Sequence, residues 1–317
     1  MHLPNLRTLS PAISLAISLA LPLGGLFSPH LLAATPPPAQ QQAAKPVRVL
    51  ASLPITYGLG QLLLKDSGVV LERAAAANLP GSRQSAYFSG RGAEALHKLA
   101  NQADAVIGLR SIWTEDPLYT HARRSNIRIV EIDAARPVDG ALPGVALQPG
   151  DSIDGLNSQP WLASHNLGRM ADVLAADLVR LAPEAKAKID SNLAGLKQQL
   201  LKLSADSEKR LAQADSVAVV SLSERLGYLI SGLNLEQVGR QVLADDQWTP
   251  AALNTLSTTL KDNEVAVVLD HREPPEAVKA AISAAGSQLL VLGNEAEDPL
   301  TGLQSDVEQL IKALTKG

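Results

Sequence analysis

Hydroxyl, amide, carboxylate and guanidinium side chains stand beside aromatic ones in three short loops of the chain. The loops supply Ser85 and Tyr87, then Gln159 and Trp161, and finally Ser223, Glu224 and Arg225. Flat apolar walls with a few fixed polar groups are typical of small-ligand pockets. Ordinary turn and capping chemistry is the alternative, because a serine such as Ser223 is also a good helix N-cap.

The histidines are the other residues that could perform chemistry. Beyond the apolar N-terminal stretch they are His97, His121, His165 and His271, widely separated along the chain. His271 directly follows Asp270, and a histidine–carboxylate pair can act in acid–base catalysis. No pattern nearby provides a nucleophile or an oxyanion site, and the motifs G-x-S-x-G and H-E-x-x-H are absent from the chain. The sequence therefore predicts a binding protein and not an enzyme.

Composition narrows the class of protein further. The chain has 317 residues, a net charge of −4 and no cysteine. The length favours two domains. Because no basic run is present, we expect no nucleic-acid partner. The absence of cysteine excludes disulfides, thiolate metal sites and a lipid-modified N-terminal cysteine.

The N-terminal segment has the pattern of an export signal. Arg7 precedes an apolar run, and the small residues Ala33 and Ala34 follow it. This pattern predicts a cleaved signal peptide at residues 1–34 and a protein located in a bacterial periplasm. The proline- and glutamine-rich residues 35–46 are expected to form a flexible leader. An uncleaved membrane anchor is the alternative.

Apolar runs that indicate buried strands recur in both halves of the chain. They cover residues 47–52, 69–72, 105–109, 127–132, 217–221, 265–269 and 289–292. Helical segments alternate with these runs, which predicts two doubly wound α/β lobes with parallel sheets. Residues 78–92 are expected to form a loop, and residues 137–160 a second, longer one. Ligands of such sheets bind beyond the carboxyl ends of the strands.

One long helix is expected to join the two lobes. Leucine or isoleucine recurs every three or four residues through much of residues 183–214, and charged residues occupy the opposite side. Pro183 suits the first turn of a helix, and Gly195 is a weak position within it. The expected boundaries are residues 47–182 for the first lobe, 183–214 for the linking helix and 215–317 for the second lobe.

Several short segments carry a resemblance to a known family. They are residues 49–54, 80–87, 159–162, 178–196, 219–228, 249–253 and 298–300. Together they resemble the zinc- and manganese-binding solute-binding proteins of bacterial ABC importers, the cluster A-I metal-binding family, over residues 47–314. The resemblance implies a ligand held between two lobes, an inner-membrane ABC permease as partner, and no catalysis. We also expect a monomer.

The histidines that bind metal in this family are replaced here. The resemblance places Ser85, Gln159 and Ser223 at the histidine positions and keeps an acidic residue, Asp298, at the fourth position. Zinc takes about four imidazole, thiolate or carboxylate donors. Hydroxyl and amide oxygens are weaker substitutes, and manganese would also lack its imidazoles.

Three hypotheses remain open. The favoured one is a cleft adapted to a chelated metal or a small polar solute. Its residues are Ser85, Tyr87, Gln159, Trp161, Ser223, Glu224, Arg225 and Asp298. The second hypothesis is direct binding of zinc or manganese by a rearranged set of ligands. The candidates for that set are Glu224, Asp270, His271 and Asp298. The third is a ligand-free adhesion or interaction protein on the same scaffold.

Overall fold

Two four-stranded parallel sheets form the framework of the chain in the computed structural model. The structure describes residues 45–140, 142–145, 147–148, 159–293 and 296–315. The predicted signal peptide and most of the leader lie outside these residues, as does part of the predicted loop at 137–160. None of the helices in the described ranges combines the length and apolar character that a membrane span requires.

The first sheet has the strand order β2-β1-β3-β4, and all neighbouring strands are parallel. Its strands are β1 (Arg48–Ala51), β2 (Val70–Arg73), β3 (Ala105–Gly108) and β4 (Val130–Asp133). The helices of this lobe are α1 (Pro54–Leu64), α2 (Gly81–Ser89), α3 (Ala93–Ala100), α4 (Leu118–Ser125) and α5 (Ser164–Leu181). Strands β1 and β3 lie at the centre and are buried apart from Arg48 at the start of β1, which explains their nearly unbroken apolar sequences.

The second sheet repeats this topology with the order β6-β5-β7-β8. Its strands are β5 (Ala218–Ser221), β6 (Glu236–Arg240), β7 (Val267–Asp270) and β8 (Gln288–Val291). Its helices are α7 (Gly227–Gly232), α8 (Pro250–Asp262), α9 (Glu276–Ala284) and α10 (Pro299–Leu314). In each sheet the second strand is added on one side of the first, and the third and fourth strands are added on the other side. This change of side lies between β1 and β3 in the first sheet and between β5 and β7 in the second. Each lobe therefore has one crevice at the carboxyl ends of its central strands, where ligands of such sheets bind.

The predicted linking helix is α6 (Lys186–Leu211), which a short 3-10 turn at Pro183–Ala185 precedes. Its 26 residues span roughly 39 Å at 1.5 Å per residue. The buried members of its apolar stripe are Ile189, Leu196, Leu200 and Leu211. The helix packs against α1, α5 and α10. One apolar cluster runs from β1 through α5 and α6 to β7, so the two lobes share a continuous core. The predicted α/β fold with a long helix is confirmed.

The prediction of a loop over residues 78–92 is wrong in its central part, where the chain forms α2. Gln84 and Phe88 are one helical turn apart and both are buried. The side-chain nitrogen of Gln84 also donates a hydrogen bond to the carbonyl oxygen of Ser52, at 3.1 Å. These tertiary contacts offset the low helix propensity of the glycine and serine residues. Strand β6 was not predicted, because an exposed edge strand that contains Gly239 has a weak apolar pattern.

The lobes also touch where α1 meets the segment before α10. Arg73, at the end of β2, forms an ion pair with Glu297, with 2.7 Å between its guanidinium nitrogen and the carboxylate. The same guanidinium lies over the ring of Tyr57, 3.8 Å from its centre. Gly58 lies beside this contact, and its Cα faces the backbone of Glu297. A side chain on Gly58 would therefore separate the two lobes.

Candidate functional site

The loops after β5 and β7 bring together a group of polar side chains, which we call the serine–histidine cluster: Ser221, Ser223, Asp270 and His271. Ser223 Oγ lies 2.8 Å from Nδ1 of His271, and the same nitrogen lies 3.2 Å from Oδ1 of Asp270. Ser221 Oγ donates to the carbonyl oxygen of Ser223 at 2.8 Å. Asp270 is 3% exposed and also accepts the backbone N–H of His271. The cluster therefore occupies the crevice of the second lobe.

Two groups contact the same ring nitrogen of His271. Nδ1 forms a hydrogen bond with Ser223 Oγ, in which it donates or accepts according to the tautomer of the ring, and it lies within ion-pair distance of Asp270. Nε2 has no hydrogen-bond partner in the part of the chain that the structure describes. In serine hydrolases the serine and the acid contact opposite ring nitrogens. Here both contact Nδ1, so the cluster is not a hydrolase triad.

Charged side chains surround the serine–histidine cluster. Glu224 pairs with Arg240, with 3.3 Å between the charged atoms. The backbone N–H of Arg225 donates to Ser223 Oγ at 3.2 Å. The guanidinium of Arg225 is half-buried and has no ion pair or hydrogen bond among the described residues. An unpaired guanidinium suits an anionic group such as a carboxylate.

A small cavity with a volume of about 30 Å³ lies between the two lobes. We call it the interlobe cavity. Its lining residues include Leu53, Pro54, Gln159, Trp161, Gly293 and Asp306. Gln159 is 1% exposed and Trp161 is also buried. A water molecule needs roughly 10–15 Å³ of such volume, so the cavity has room for two or three waters or one ion.

Some buried side-chain atoms have no hydrogen-bond partner, and that of Gln159 belongs to the lining of the interlobe cavity. Among the described residues they are Ser52 Oγ, Gln84 Oε1 and Gln159 Nε2. Each unpaired buried atom costs about 1–3 kcal/mol, which favours a functional reason for it. Sequence reasoning missed Ser52 and Gln84 and selected Ser85 instead. The spacing of four between Gln84 and Phe88 was the signal that could have revealed an inward-facing position.

Asp306 is a second residue that the sequence analysis missed. It occupies a position in the apolar stripe of α10, between Leu303 and Val307, and is 6% exposed. Its Oδ2 accepts the backbone N–H of Gly293 at 3.0 Å. Burial raises the pKa of this carboxyl from 3.8 to about 6, although the Gly293 hydrogen bond acts in the opposite direction. An acidic residue within an apolar helical stripe is the signal that could have found it.

The first predicted loop does not reach the interlobe cavity. Ser85 is exposed on α2, and its carbonyl oxygen accepts the hydroxyl of Ser89 at 2.9 Å. Tyr87 is half-buried and its ring packs against Phe88, with 5.5 Å between the ring centres. Neither residue lines the interlobe cavity, whereas Gln159 and Trp161 do. The predicted cleft residues therefore divide between α2, the interlobe cavity and the second-lobe crevice.

The four predicted metal candidates do not form one group. No set of three or more histidine, aspartate or glutamate side chains is placed to hold a metal ion within the described ranges. Oδ1 of Asp298 instead accepts the backbone N–H groups of Leu300 and Thr301, at 2.9 and 3.2 Å, as the N-cap of α10. Only Asp270 and His271 contact each other. The structure therefore contradicts the prediction that Glu224, Asp270, His271 and Asp298 form one metal site. The carboxylate of Asp298 stabilises the N-terminal end of α10 instead.

Replacing Asp298 by alanine is expected to lower the free energy of unfolding by about 1 kcal/mol, because two backbone N–H groups of α10 lose their acceptor. Replacement by asparagine, which caps helices equally well, is expected to retain stability within a few tenths of a kcal/mol. Urea unfolding of the three proteins measures both effects. Equal losses in the two variants would mean that the charge of Asp298, and not its capping oxygen, is what matters.

Solved structures with the same fold support this architecture. An FpvC mutant from Pseudomonas aeruginosa matches with a TM-score of 0.65 and 17% identity, over 86% of this chain and 100% of that one. The Zn(II)-bound ZnuA-like domain of Streptococcus pneumoniae AdcA matches with 0.64 and 18%, over 86% and 100%. The laminin-binding protein Lbp of Streptococcus pyogenes matches with 0.60 and 16%, over 85% and 99%. At these identities the likeness concerns the fold alone.

Family membership follows from the sequence. No curated protein sequence matches the chain. Residues 87–316 match the family model described as the zinc-uptake complex component A, periplasmic. This match covers well over half of the chain and confirms the family that the short segments resemble. Its members are periplasmic solute-binding proteins and not enzymes. The chain therefore belongs to the ZnuA family of zinc-uptake solute-binding proteins.

Proposed function

We propose that this protein is the periplasmic solute-binding component of a metal-family ABC importer and that it carries a chelated metal or a small polar solute. The observation that carries the finer part of this proposal is Gln159. It lies in the interlobe cavity at a position where the family resemblance expects a histidine, and its Nε2 is buried without a partner. An amide N–H does not coordinate a cation. It requires an acceptor, such as a carboxylate or carbonyl oxygen of a solute.

Asp306 complements Gln159 across the same cavity. Its carboxyl is an acceptor for a donor group or a cation, whereas the Gln159 amide nitrogen is a donor. A solute with both an acceptor and a donor would satisfy both residues. When a ligand supplies the missing hydrogen-bond partner of a buried polar atom, the pairing contributes about 1–3 kcal/mol per atom to the binding free energy. This pairing favours a polar organic solute or a metal complex over a bare ion.

Loading such a solute requires the lobes to move apart. Pockets for organic ligands measure roughly 300–1,000 Å³, whereas the interlobe cavity measures about 30 Å³. The Arg73–Glu297 ion pair joins the two lobes and is partly exposed. Exposed pairs of this kind contribute about 0–1 kcal/mol, so the pair does not prevent opening. We propose a modest lobe movement that the stiff helix α6 limits.

The proposed pathway has three further parts. A signal peptide at residues 1–34 directs export and is cleaved. The mature protein is not a lipoprotein, because the chain has no cysteine to carry the lipid. The protein acts as a monomer in the periplasm. It delivers its solute to an ABC permease of the inner membrane, the partner with which solute-binding proteins of this kind work.

Two other functions remain as outcomes of the test. Direct zinc binding is favoured by the Asp270–His271 pair and by the zinc that the AdcA domain binds. An interaction protein is favoured by the small volume of the interlobe cavity, and one protein of this fold is named for binding laminin. Manganese is the other metal ion that the protein could bind directly, without a chelator.

Thermal unfolding in metal-free buffer separates these functions. The additions are zinc or manganese alone, the same metals and nickel as citrate complexes, citrate alone, and a panel of amino acids. A ligand at a hundred times its dissociation constant stabilises the folded state by about 2.7 kcal/mol. We expect a rise of several degrees with a chelate or a polar solute and none with the bare ions.

The matched variant for this experiment is Gln159→Leu, which keeps the volume and removes the amide. We expect it to lose the shift that the solute causes, while Asp298→Ala keeps it. A strong shift with zinc or manganese alone would establish direct metal binding. No shift with any addition would leave the interaction protein.

A further inference from the structure

One corner of the first lobe carries positive charge and apolar surface together. We call it the α4–β4 corner, and its exposed residues are Arg123, Arg124, Ile127, Arg128 and Val130. We propose that this corner binds the surface of an anionic phospholipid bilayer, with its arginines on lipid phosphates and Ile127 inserted among the headgroups. The inference goes beyond the proposed function, because it does not depend on which solute the protein carries.

The arginines of the corner have no carboxylate partners. None of the three forms an ion pair within the described ranges, whereas Arg110 of the same lobe pairs with a glutamate. Arg123 donates a hydrogen bond to the hydroxyl of Tyr119. The guanidinium groups of Arg124 and Arg128 have no hydrogen bond within those ranges. A guanidinium matches the geometry of a phosphate, so these groups are available to lipid headgroups.

Ile127 is held outward by the turn that contains it. It is 76% exposed, the highest value among the large apolar side chains of the described residues, whereas Ile129 is 2% exposed. Asn126 fixes the turn between α4 and β4. Its Oδ1 accepts the backbone N–H of Arg128 at 3.1 Å, and its Nδ2 donates to two backbone carbonyl oxygens near the end of α3, both at 2.9 Å. The exposure of Ile127 is therefore built into the fold.

This combination favours a bilayer over an acidic protein as the partner. A single exposed apolar residue is ordinary, but here cations flank it on both sides. Each arginine near an anionic lipid surface strengthens binding about fivefold, and the headgroup region accepts apolar side chains. A rigid protein would need a pocket that matches the isoleucine, whereas lipids rearrange around it. Asp104, which precedes β3, adds one negative charge at this edge of the sheet, so the corner keeps an excess of positive charge.

The position of the corner leaves the interlobe cavity accessible. The corner leads into the amino end of β4, whereas the cavity residues Leu53 and Pro54 follow the carboxyl end of β1. The strands of this sheet are parallel, so the corner and the cavity lie at opposite edges of it. A bilayer bound at the corner would not cover the cavity, and the bound protein could still take up its solute.

Cosedimentation with lipid vesicles tests the proposal. We expect binding at least about tenfold stronger to vesicles with one-third phosphatidylglycerol than to pure phosphatidylcholine. Salt at 1 M should remove the preference, because the Debye length is then about 3 Å. The double variant Arg124→Gln/Arg128→Gln should weaken binding about tenfold or more, and Ile127→Ser about threefold or more.

A double variant in α6 is the matched control. Lys202→Gln/Lys209→Gln removes the same charge, since both lysines are exposed and have no ion pair within the described residues. It should bind within about twofold of the unaltered protein. Thermal unfolding confirms that every variant is folded, which is expected because all the substituted side chains are exposed.

Insertion of the corner can be measured by fluorescence. Lipids brominated on their acyl chains quench a tryptophan only when it enters the bilayer. We expect anionic vesicles of such lipids to quench Ile127→Trp more than the unaltered protein. Leu201→Trp is the control, because Leu201 is 72% exposed but lies on α6, and it should show no added quenching.

Several results would overturn this inference. They are no binding to anionic vesicles, equal binding to both kinds of vesicle, unchanged binding by the folded double arginine variant, and no added quenching in Ile127→Trp. Binding of soluble polyglutamate through the same arginines, without binding of vesicles, would instead identify an acidic protein as the partner. The thermal-unfolding screen for solutes contains no lipid, so it tests the proposed function separately.

Discussion

Replacing Gly58 by alanine is expected to lower the free energy of unfolding by about 3 kcal/mol, the upper end of the usual cost of overpacking. A Cβ at this position would lie 2.2 Å from the carbonyl oxygen of Glu297 and 2.6 Å from Cδ of Pro299. Backbone and ring atoms cannot move aside as a flexible side chain can. The helix α1 and the segment before α10 must therefore separate. Urea unfolding at a fixed temperature measures the loss.

Gly195→Ala is the matched control for this substitution. Gly195 lies within α6, and no atom lies within 4 Å of the position its Cβ would take. Alanine there should raise the free energy of unfolding by about 0.5–1 kcal/mol, because glycine loses more conformational freedom in a helix. A gain in both variants would show that α1 and Glu297 do not approach each other in solution.

Replacing Asp306 by asparagine is expected to stabilise the protein at pH 8 by about 3 kcal/mol and to have little effect at pH 3. Burial raises the pKa of this carboxyl from 3.8 to about 6. A shift of about two pKa units corresponds to about 3 kcal/mol. An asparagine oxygen can still accept the N–H of Gly293, which now bonds to Oδ2 at 3.0 Å. The variant removes the cost of burying a charge and retains the hydrogen bond.

The direction of the pH dependence follows from proton binding. The folded protein holds the Asp306 proton more tightly than the unfolded chain does. This contribution to stability is complete below pH 3.8 and is lost as the pH rises through about 6. Burial also raises the pKa of Asp116, to about 6, and the pKa of Glu131 and Asp177, so the pH dependence of the unaltered protein includes these groups too. The difference between the two proteins isolates Asp306. Parallel stability curves from pH 3 to pH 8 would contradict the prediction.

The loops that follow β5 and β7 show how far a local pattern leads. Their strands were recognisable because buried parallel strands need runs of apolar residues such as those that end at Ser221 and Asp270. The parallel topology then places both loops at one edge of the sheet. That His271 bonds Ser223 through Nδ1, and leaves Nε2 free, depends on side-chain positions that no pattern along the chain encodes.

The sequence by itself determined the alternation of strands and helices, the long helix α6 and the family, because each of these depends on periodicity or on short contiguous segments. Only the tertiary structure decided that Gln84 and not Ser85 faces inward, that Asp306 and Gln159 line the same cavity, and that this interlobe cavity is small. The physical reason is the range of the interactions. Helix and strand patterns reflect neighbours a few residues apart, whereas burial and unpaired polar atoms reflect segments that meet only after the chain has folded.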